Sequence, residues 1–418
     1  MWRPESASGR SGIGTVVEPR SRYVLTGKAI PMNSRPSILA AALALALLAG
    51  SSCARDTRPL DQRLTEALAA RLRQFGVRGA SAAVILPDRS VHRIVAGTSH
   101  DSVAMRPDML FAIGSITKNY VAALVLRLAE DGALSLEDPL YRWLPRYPRV
   151  DSTVTIRQLL SHRSGIAMFW ENQRLWDDLK AYRDSVFTPE VVLTYIGEPD
   201  FAPDSGFRYS NTNYLLLAMI ATRATRSTLS AELRTRFWRP LGLASTYLSM
   251  EDSIPPERLA HVWGDNFEGD GSNRDLTFLP RAAHESITYG SAGVFTTAEE
   301  LARWSHALFH GELISRPSLE RMTEFRPAGR GLRGSYGLGL QAFAGRLTSG
   351  ERVHGHGGGN IGTSAYVAYL PDFDVSLAVM INYMHGTCPA RILGDFIEIV
   401  TDHLRQAGLH ESGGPPSR

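Results

Sequence analysis

The chain has 418 residues, 44% of them hydrophobic and 21% charged, with 45 Lys and Arg against 42 Asp and Glu. This is a globular composition that excludes collagen-like, disordered and multi-span membrane proteins, and two cysteines exclude a disulfide scaffold or a cysteine-built structural zinc site. The net charge of +3 belongs to residues 1–53, which hold six basic side chains (Arg3, Arg10, Arg20, Arg22, Lys28, Arg35) and two acidic ones (Glu5, Glu18); residues 54–418 carry −1, so no basic excess points to nucleic acid.

Within the N-terminal segment, Met32-Asn-Ser-Arg-Pro-Ser precedes an apolar run over 38–49 and the small-residue stretch Gly50-Ser-Ser-Cys53-Ala. This pattern predicts a secretory leader over 32–54, with Met32 as the start and 1–31 as an over-extended frame. The apolar run is shorter than the roughly 20 residues that span a membrane. Cys53 resembles a bacterial lipoprotein acceptor, but Gly50 stands where that motif usually carries Leu. Lipidation and ordinary cleavage after Ser52 or Ala54 both stay open. Either route predicts export to the periplasm or cell envelope, with a membrane tether in the lipidated case, and leaves Cys388 without a disulfide partner.

Along the rest of the chain, Leu60, Leu64, Leu68, Leu72 and Phe75 follow helical spacing and end at Gly76. Residues 80–86 and 91–96, joined by Pro87-Asp88-Arg89, read as a β-hairpin. A helix over 115–130 is almost wholly apolar, which places it inside the protein. From 136 to 287 the texture changes to helices and long loops, with helices over 215–222 and 228–237 and a polar, Gly-rich stretch at 264–275 that reads as a mobile rim. Residues 297–310 form an amphipathic helix capped by Thr296 or Thr297. Residues 336–343, 364–370 and 375–382 read as strands, 391–406 as a closing helix, and 409–418 as a tail. Two flanking segments, 58–135 and 288–408, thus make one discontinuous α/β domain around a helical insert at 136–287, with a cleft between them as the default ligand site.

Only three of the 45 basic residues are lysines: Lys28, Lys118 and Lys180. A buried lysine can lose its proton and act as a base, which an arginine cannot. Lys118 lies three residues after Ser115, on the same helix face, so its amine can activate that hydroxyl as a nucleophile. The competing reading makes Ser115 a helix cap and leaves Lys118 on a solvated edge. Downstream, Tyr209-Ser-Asn211 can present a proton-carrying phenol and an amide to a cleft, or it is an ordinary hydrogen-bonded turn. His354-Gly-His356-Gly357-Gly358-Gly359-Asn360, placed directly before a strand, allows close backbone approach to a ligand and can supply an N–H to an oxyanion. It also reads as a plain glycine-rich turn. Neither H-x-H-x-D-H nor H-E-x-x-H occurs, so no metal or other cofactor is expected. No G-x-S-x-G elbow occurs either, which excludes the α/β-hydrolase reading of His356-Gly-Gly-Gly.

Ser115-x-x-Lys118, Tyr209-x-Asn211 and His356-x-Gly358, in this order, resemble the serine β-lactamase and penicillin-binding superfamily. The similarity is to its class C β-lactamase, D-alanyl-D-alanine carboxypeptidase and esterase branch. Segments 134–139, 154–165, 207–217, 240–242 and 291–298 also match, so the likeness spans about 60–406. It implies a central antiparallel sheet flanked by helices, plus an all-helical insert (an α/β, or α+β, fold). It implies Ser115 as nucleophile, Lys118 as its activator, Tyr209 as proton carrier and Asn211 on the acyl amide. The N–H groups of Ser115 and Gly359 would form the oxyanion hole, with His356 and Gly358 in the third motif. The substrate would be a small molecule or a peptidoglycan-derived peptide. The branch's β-lactamases usually carry Lys at the position of His356, whose reference pKa of about 6.5 leaves it mostly neutral at pH 7. This departure favours peptidase or esterase chemistry over β-lactam hydrolysis.

Overall fold

The computed structural model describes residues 57–265, 273–329, 332 and 334–409. The leader expected at 32–54, the segment before it, Cys53, the middle of the 264–275 stretch and nearly all of the tail lie outside the described residues.

Helix α1 (Leu60–Phe75) ends at Gly76, whose φ of +64° turns the chain out of the helix as the sequence predicts. Strands β1 (Gly79–Ile85) and β2 (Val91–His100) pair antiparallel as the expected hairpin, and β3 (Val103–Ala104) extends its edge. A short 3₁₀ turn, Gly114–Ile116, then leads into α2 (Thr117–Glu130), which is buried at every position from Thr117 to Leu126. Helix α3 (Asn211–Thr225) is longer than its apolar stretch suggests, and the helix expected over 228–237 passes from Leu229–Leu233 into a π-turn over Arg234–Trp238. Thr297 caps α4 (Ala298–Phe309), its hydroxyl accepting from the Glu300 N–H at 3.2 Å.

The C-terminal half corrects two expectations. Residues 336–343 are not one strand: β4 (Arg326–Pro327), β5 (Ser335–Tyr336) and β6 (Gln341–Ala342) are two-residue pieces. The chain turns between the last two, where Gly337 N–H donates to Leu340 O and Gly339 has φ +71°. The glycine-rich stretch is not a turn before a strand but a strand itself, β7 (His354–Asn360), paired along its length with β8 (Thr363–Leu370). Strand β9 (Val375–Ile381) and α5 (Cys388–Gln406) complete the fold.

Among the described residues the main sheet has nine strands in the order β3-β2-β1-β9-β8-β7-β6-β5-β4, every pair antiparallel. Both faces are covered, and the two-residue period of a strand divides its side chains between two cores. Ala80, Ala82 and Val84 of β1, with Leu377, Val379 and Ile381 of β9, pack beneath α1 and α5. Ala83 and Ile85 of β1, with Ala378 and Met380 of β9, face α4, α2 and the helical region, sharing one core with Leu160, Phe169 and Leu216. That second core sets α4 against β1, β8 and β9 and encloses α2. No helix among the described residues is long and apolar enough to cross a membrane.

Candidate active site

Ser115 sits in the 3₁₀ turn, and its hydroxyl does not cap α2. One turn later Lys118, fully buried, reaches back to it. Its Nζ lies 3.0 Å from Ser115 Oγ and donates to Ser291 O at 2.8 Å. The solvated-edge reading of Lys118 therefore fails, whereas Lys180 is exposed. Among the described residues no carboxylate pairs with the Lys118 amine, and burial pushes its pKa well below the usual lysine range. This lowering favours the neutral amine, which has the Ser291 carbonyl on one side and the Ser115 hydroxyl on the other.

Tyr209 stands over the same amine, with Lys118 Nζ 4.9 Å from its ring centre. Burial raises its pKa, opposed by the nearby Ser115 hydroxyl, so the phenol keeps its proton. The Tyr209 hydroxyl and Asn211 Oδ1 are both buried without a hydrogen-bond partner. Buried polar atoms are nearly always satisfied, and two orphans beside a nucleophile mark where a ligand's polar groups fit. Asn211 opens α3 behind Ser210, and its own N–H meets Met168 Sδ at 3.0 Å.

His356 is oriented by its neighbours. Its Nδ1 lies 2.6 Å from Gly357 O, an acceptor, so Nδ1 carries the proton. Nε2 then accepts from the Tyr336 hydroxyl at 3.0 Å. Burial, reinforced by Lys118, lowers its pKa to about 3, so the ring is neutral. Past Gly355, β7 has no partner on its β6 side and runs instead against the 3₁₀ turn. A Cβ on Gly358 would collide with Ile113 O and lie 3.0 Å from Ser115 N. Only glycine permits this approach, which brings the β7 backbone to the backbone of Ser115. Gly359, next along, is exposed.

Three contributors escaped sequence reasoning. The Ser291 carbonyl is backbone and carries no side-chain signal. Tyr336 was assigned only to a strand. His162 lies in the 154–165 segment, but its role is visible only in three dimensions. With φ +57°, it turns its ring into the site, 4.3 Å from the ring of Tyr209. Its Nδ1 accepts from the Ser210 N–H at 3.1 Å and faces Asn213 Nδ2 at 3.2 Å, which fixes the turn carrying Tyr209 and Asn211. Burial holds its pKa well below the usual value.

The Beta-lactamase family matches residues 61–401. Penicillin-binding protein 4* of Bacillus subtilis (strain 168) is 28% identical, covering 68% of this chain and 63% of its own length. Esterase EstB of Burkholderia gladioli is 30% identical, over 60% of this chain and 71% of its own. Among solved structures, a D-stereospecific amidohydrolase from Streptomyces sp. superposes with a TM-score of 0.71 at 28% identity, over 81% of this chain and 99% of that one. The chain spans less than two thirds of the length of penicillin-binding protein 4*. A sheet of this order, a serine and a buried lysine one helical turn apart and a family match over most of the sequence converge: the chain belongs to the Beta-lactamase family.

Proposed function

We propose that the protein is a serine hydrolase that cleaves amides or esters through an acyl-enzyme on Ser115. The observation that carries this reading is the buried Lys118 amine 3.0 Å from Ser115 Oγ, with burial pushing its pKa well down. Lys118 takes the hydroxyl proton as Oγ bonds to the substrate carbonyl carbon. The developing oxyanion is held by the N–H groups of Ser115 and Gly359, an arrangement in which one donor is worth roughly 10²–10³ in rate. The bond to the leaving group breaks, and the proton passes from Lys118 through the Tyr209 phenol to the departing nitrogen or oxygen. Water then attacks the ester, its proton travels the reverse route, and Ser115 is regenerated.

The substrate class follows from charge. His356 carries no positive charge at neutral pH, so the third motif offers no fixed cation for a substrate carboxylate. Asn211 Oδ1 lacks a partner and suits an N–H donor on the acyl side. The missing cation favours D-amino-acid amides and uncharged esters over β-lactams and free D-alanyl-D-alanine termini, and the Asn211 acceptor favours an amide with an acyl-side N–H among them. The relatives named as esterase and D-stereospecific amidohydrolase support this choice. The likeness to a penicillin-binding protein keeps penicillin acylation as the second reading. Export, on the pattern at 32–54, would place the enzyme in the cell envelope.

The test is a comparison of kcat/KM for a D-amino-acid amide, an aryl ester, a D-Ala-D-Ala peptide and a penicillin. The proposal expects the first two to exceed the others. Faster penicillin turnover would make the protein a β-lactamase, and a stable adduct without product would make it a binding module.

A further inference from the structure

At the opposite end of β8 from Ser115 lies a second cluster of groups that the proposed chemistry does not use. Strand β8 begins at Thr363, whose hydroxyl donates to Ala112 O beside the 3₁₀ turn. Seven residues on, roughly 23 Å along the strand, it ends at Leu370 and turns through Asp374 into β9. Here α4 finishes with His306-Ala-Leu-Phe-His310, a H-x-x-x-H pair without the Glu of the metalloprotease motif. The two imidazoles are one helical turn apart and stacked, with ring centres 3.9 Å apart and planes within 7°.

His306, His310 and Asp374 each offer one ligand atom within 4.8 Å of the others. His306 is 6% exposed, and its Nε2 is buried with no hydrogen-bond partner. His310 Nδ1 lies 2.8 Å from the His306 carbonyl, an acceptor, so Nδ1 holds the ring proton. His310 Nε2 is thereby left as a lone pair, yet it faces the Asp374 carboxylate at 3.2 and 3.3 Å. Two acceptors at that distance need a cation between them, either a second ring proton or a metal ion.

The surroundings also suit a metal. Tyr369 donates its hydroxyl to Asp374 Oδ1 at 2.9 Å, and the His306 carbonyl orients His310, the outer-shell bonds that fix metal ligands. Asp374 and His310 remain open to solvent, leaving room for water ligands and an entry path.

We propose that His306, His310 and Asp374 form a binding site for a divalent transition metal of the zinc type, tying the end of α4 to the β8–β9 turn. Two imidazoles and a carboxylate are a donor set that zinc favours, and the site's distance from Ser115 makes it structural rather than catalytic.

The test uses the untagged full chain, stripped with a chelator and titrated with zinc chloride by calorimetry, with cobalt(II) absorption as a second readout. The proposal expects one tight equivalent in the wild type and a rise in thermal midpoint on adding zinc. In His310→Gln and in Asp374→Asn, affinity should fall more than roughly tenfold, with the zinc-dependent rise lost. Asn tolerates the φ of +50° at 374, so that variant keeps its fold, which circular dichroism checks. Absence of a stoichiometric site in the wild type, or unchanged affinity in both variants, would overturn the proposal and leave a protonated His310–Asp374 ion pair.

Discussion

Strands β7 and β9 belong to one sheet and have the same length, yet almost nothing else in common. Strand β9, Val-Ser-Leu-Ala-Val-Met-Ile, is buried at every position and feeds both cores. Strand β7, His-Gly-His-Gly-Gly-Gly-Asn, has no β-branched residue and contributes nothing to either core. Its sequence has low intrinsic strand preference, and pairing with β8 over all seven residues holds it extended. The difference separates two tasks within one sheet: β9 stabilises the fold, while β7 gives up side chains so that backbone can approach Ser115.

The largest effect expected to expose that division is on the chemistry that β7 serves. Lys118→Arg replaces a titratable amine with a guanidinium that stays protonated and so removes the proton acceptor; hydrolysis of an aryl ester by the folded variant should fall roughly 10²–10⁴-fold. A variant with wild-type rates would disconnect the buried amine from the reaction.

Leu377→Ala probes β9. Truncating this fully buried side chain should lower stability by about 2–5 kcal/mol, read from denaturant unfolding, while kcat of the folded enzyme stays within about twofold of wild type. A large loss of kcat at unchanged stability would show that β9 shapes the site directly. Gly358→Ala is the mirror experiment. Its Cβ forces the β7 backbone away from Ile113 and Ser115, and a displacement near 1 Å should cost about 10²-fold in kcat/KM. Unaltered kinetics would mean that the close approach has no catalytic purpose.

The smallest effect concerns acid. Strand β9 has no titratable side chain, whereas β7 carries a buried histidine, His356, and a half-buried one, His354. The pKa of His354 is lowered to about 4, first by burial and then by Arg352, from an unfolded value near 6.5. The unfolded chain binds more protons between those values, so this contribution to stability is complete above pH 6.5 and is lost as the pH falls toward 4. His354→Gln should therefore flatten part of the decline in thermal midpoint over that range. An identical profile would assign the acid sensitivity to other groups.

The same contrast explains what could be read from residues alone. Strand β9, the hairpin of β1 and β2, α1 and the buried α2 are legible because hydrophobic periodicity and burial agree along them. Ser115 and Lys118 are legible because the chemistry needs their side chains at helical spacing. Strand β7 is not, since glycines carry no period and its extended state comes from β8. The Ser291 carbonyl that holds Lys118 is equally hidden, because any residue offers one. His162 and Tyr336 are recognisable only once folding brings their rings beside Tyr209 and His356. The 336–343 stretch misleads for a related reason: its alternation continues through a turn that Gly339 makes.

The central claim is that Ser115 carries the acyl group, and intact-mass analysis tests it most directly. Wild-type protein mixed with an aryl ester and quenched in acid should gain one acyl mass, mapping to the peptide that contains Ser115, and Ser115→Ala should gain none and lose hydrolysis. Turnover that persists in Ser115→Ala, or an adduct on any other residue, would contradict the account.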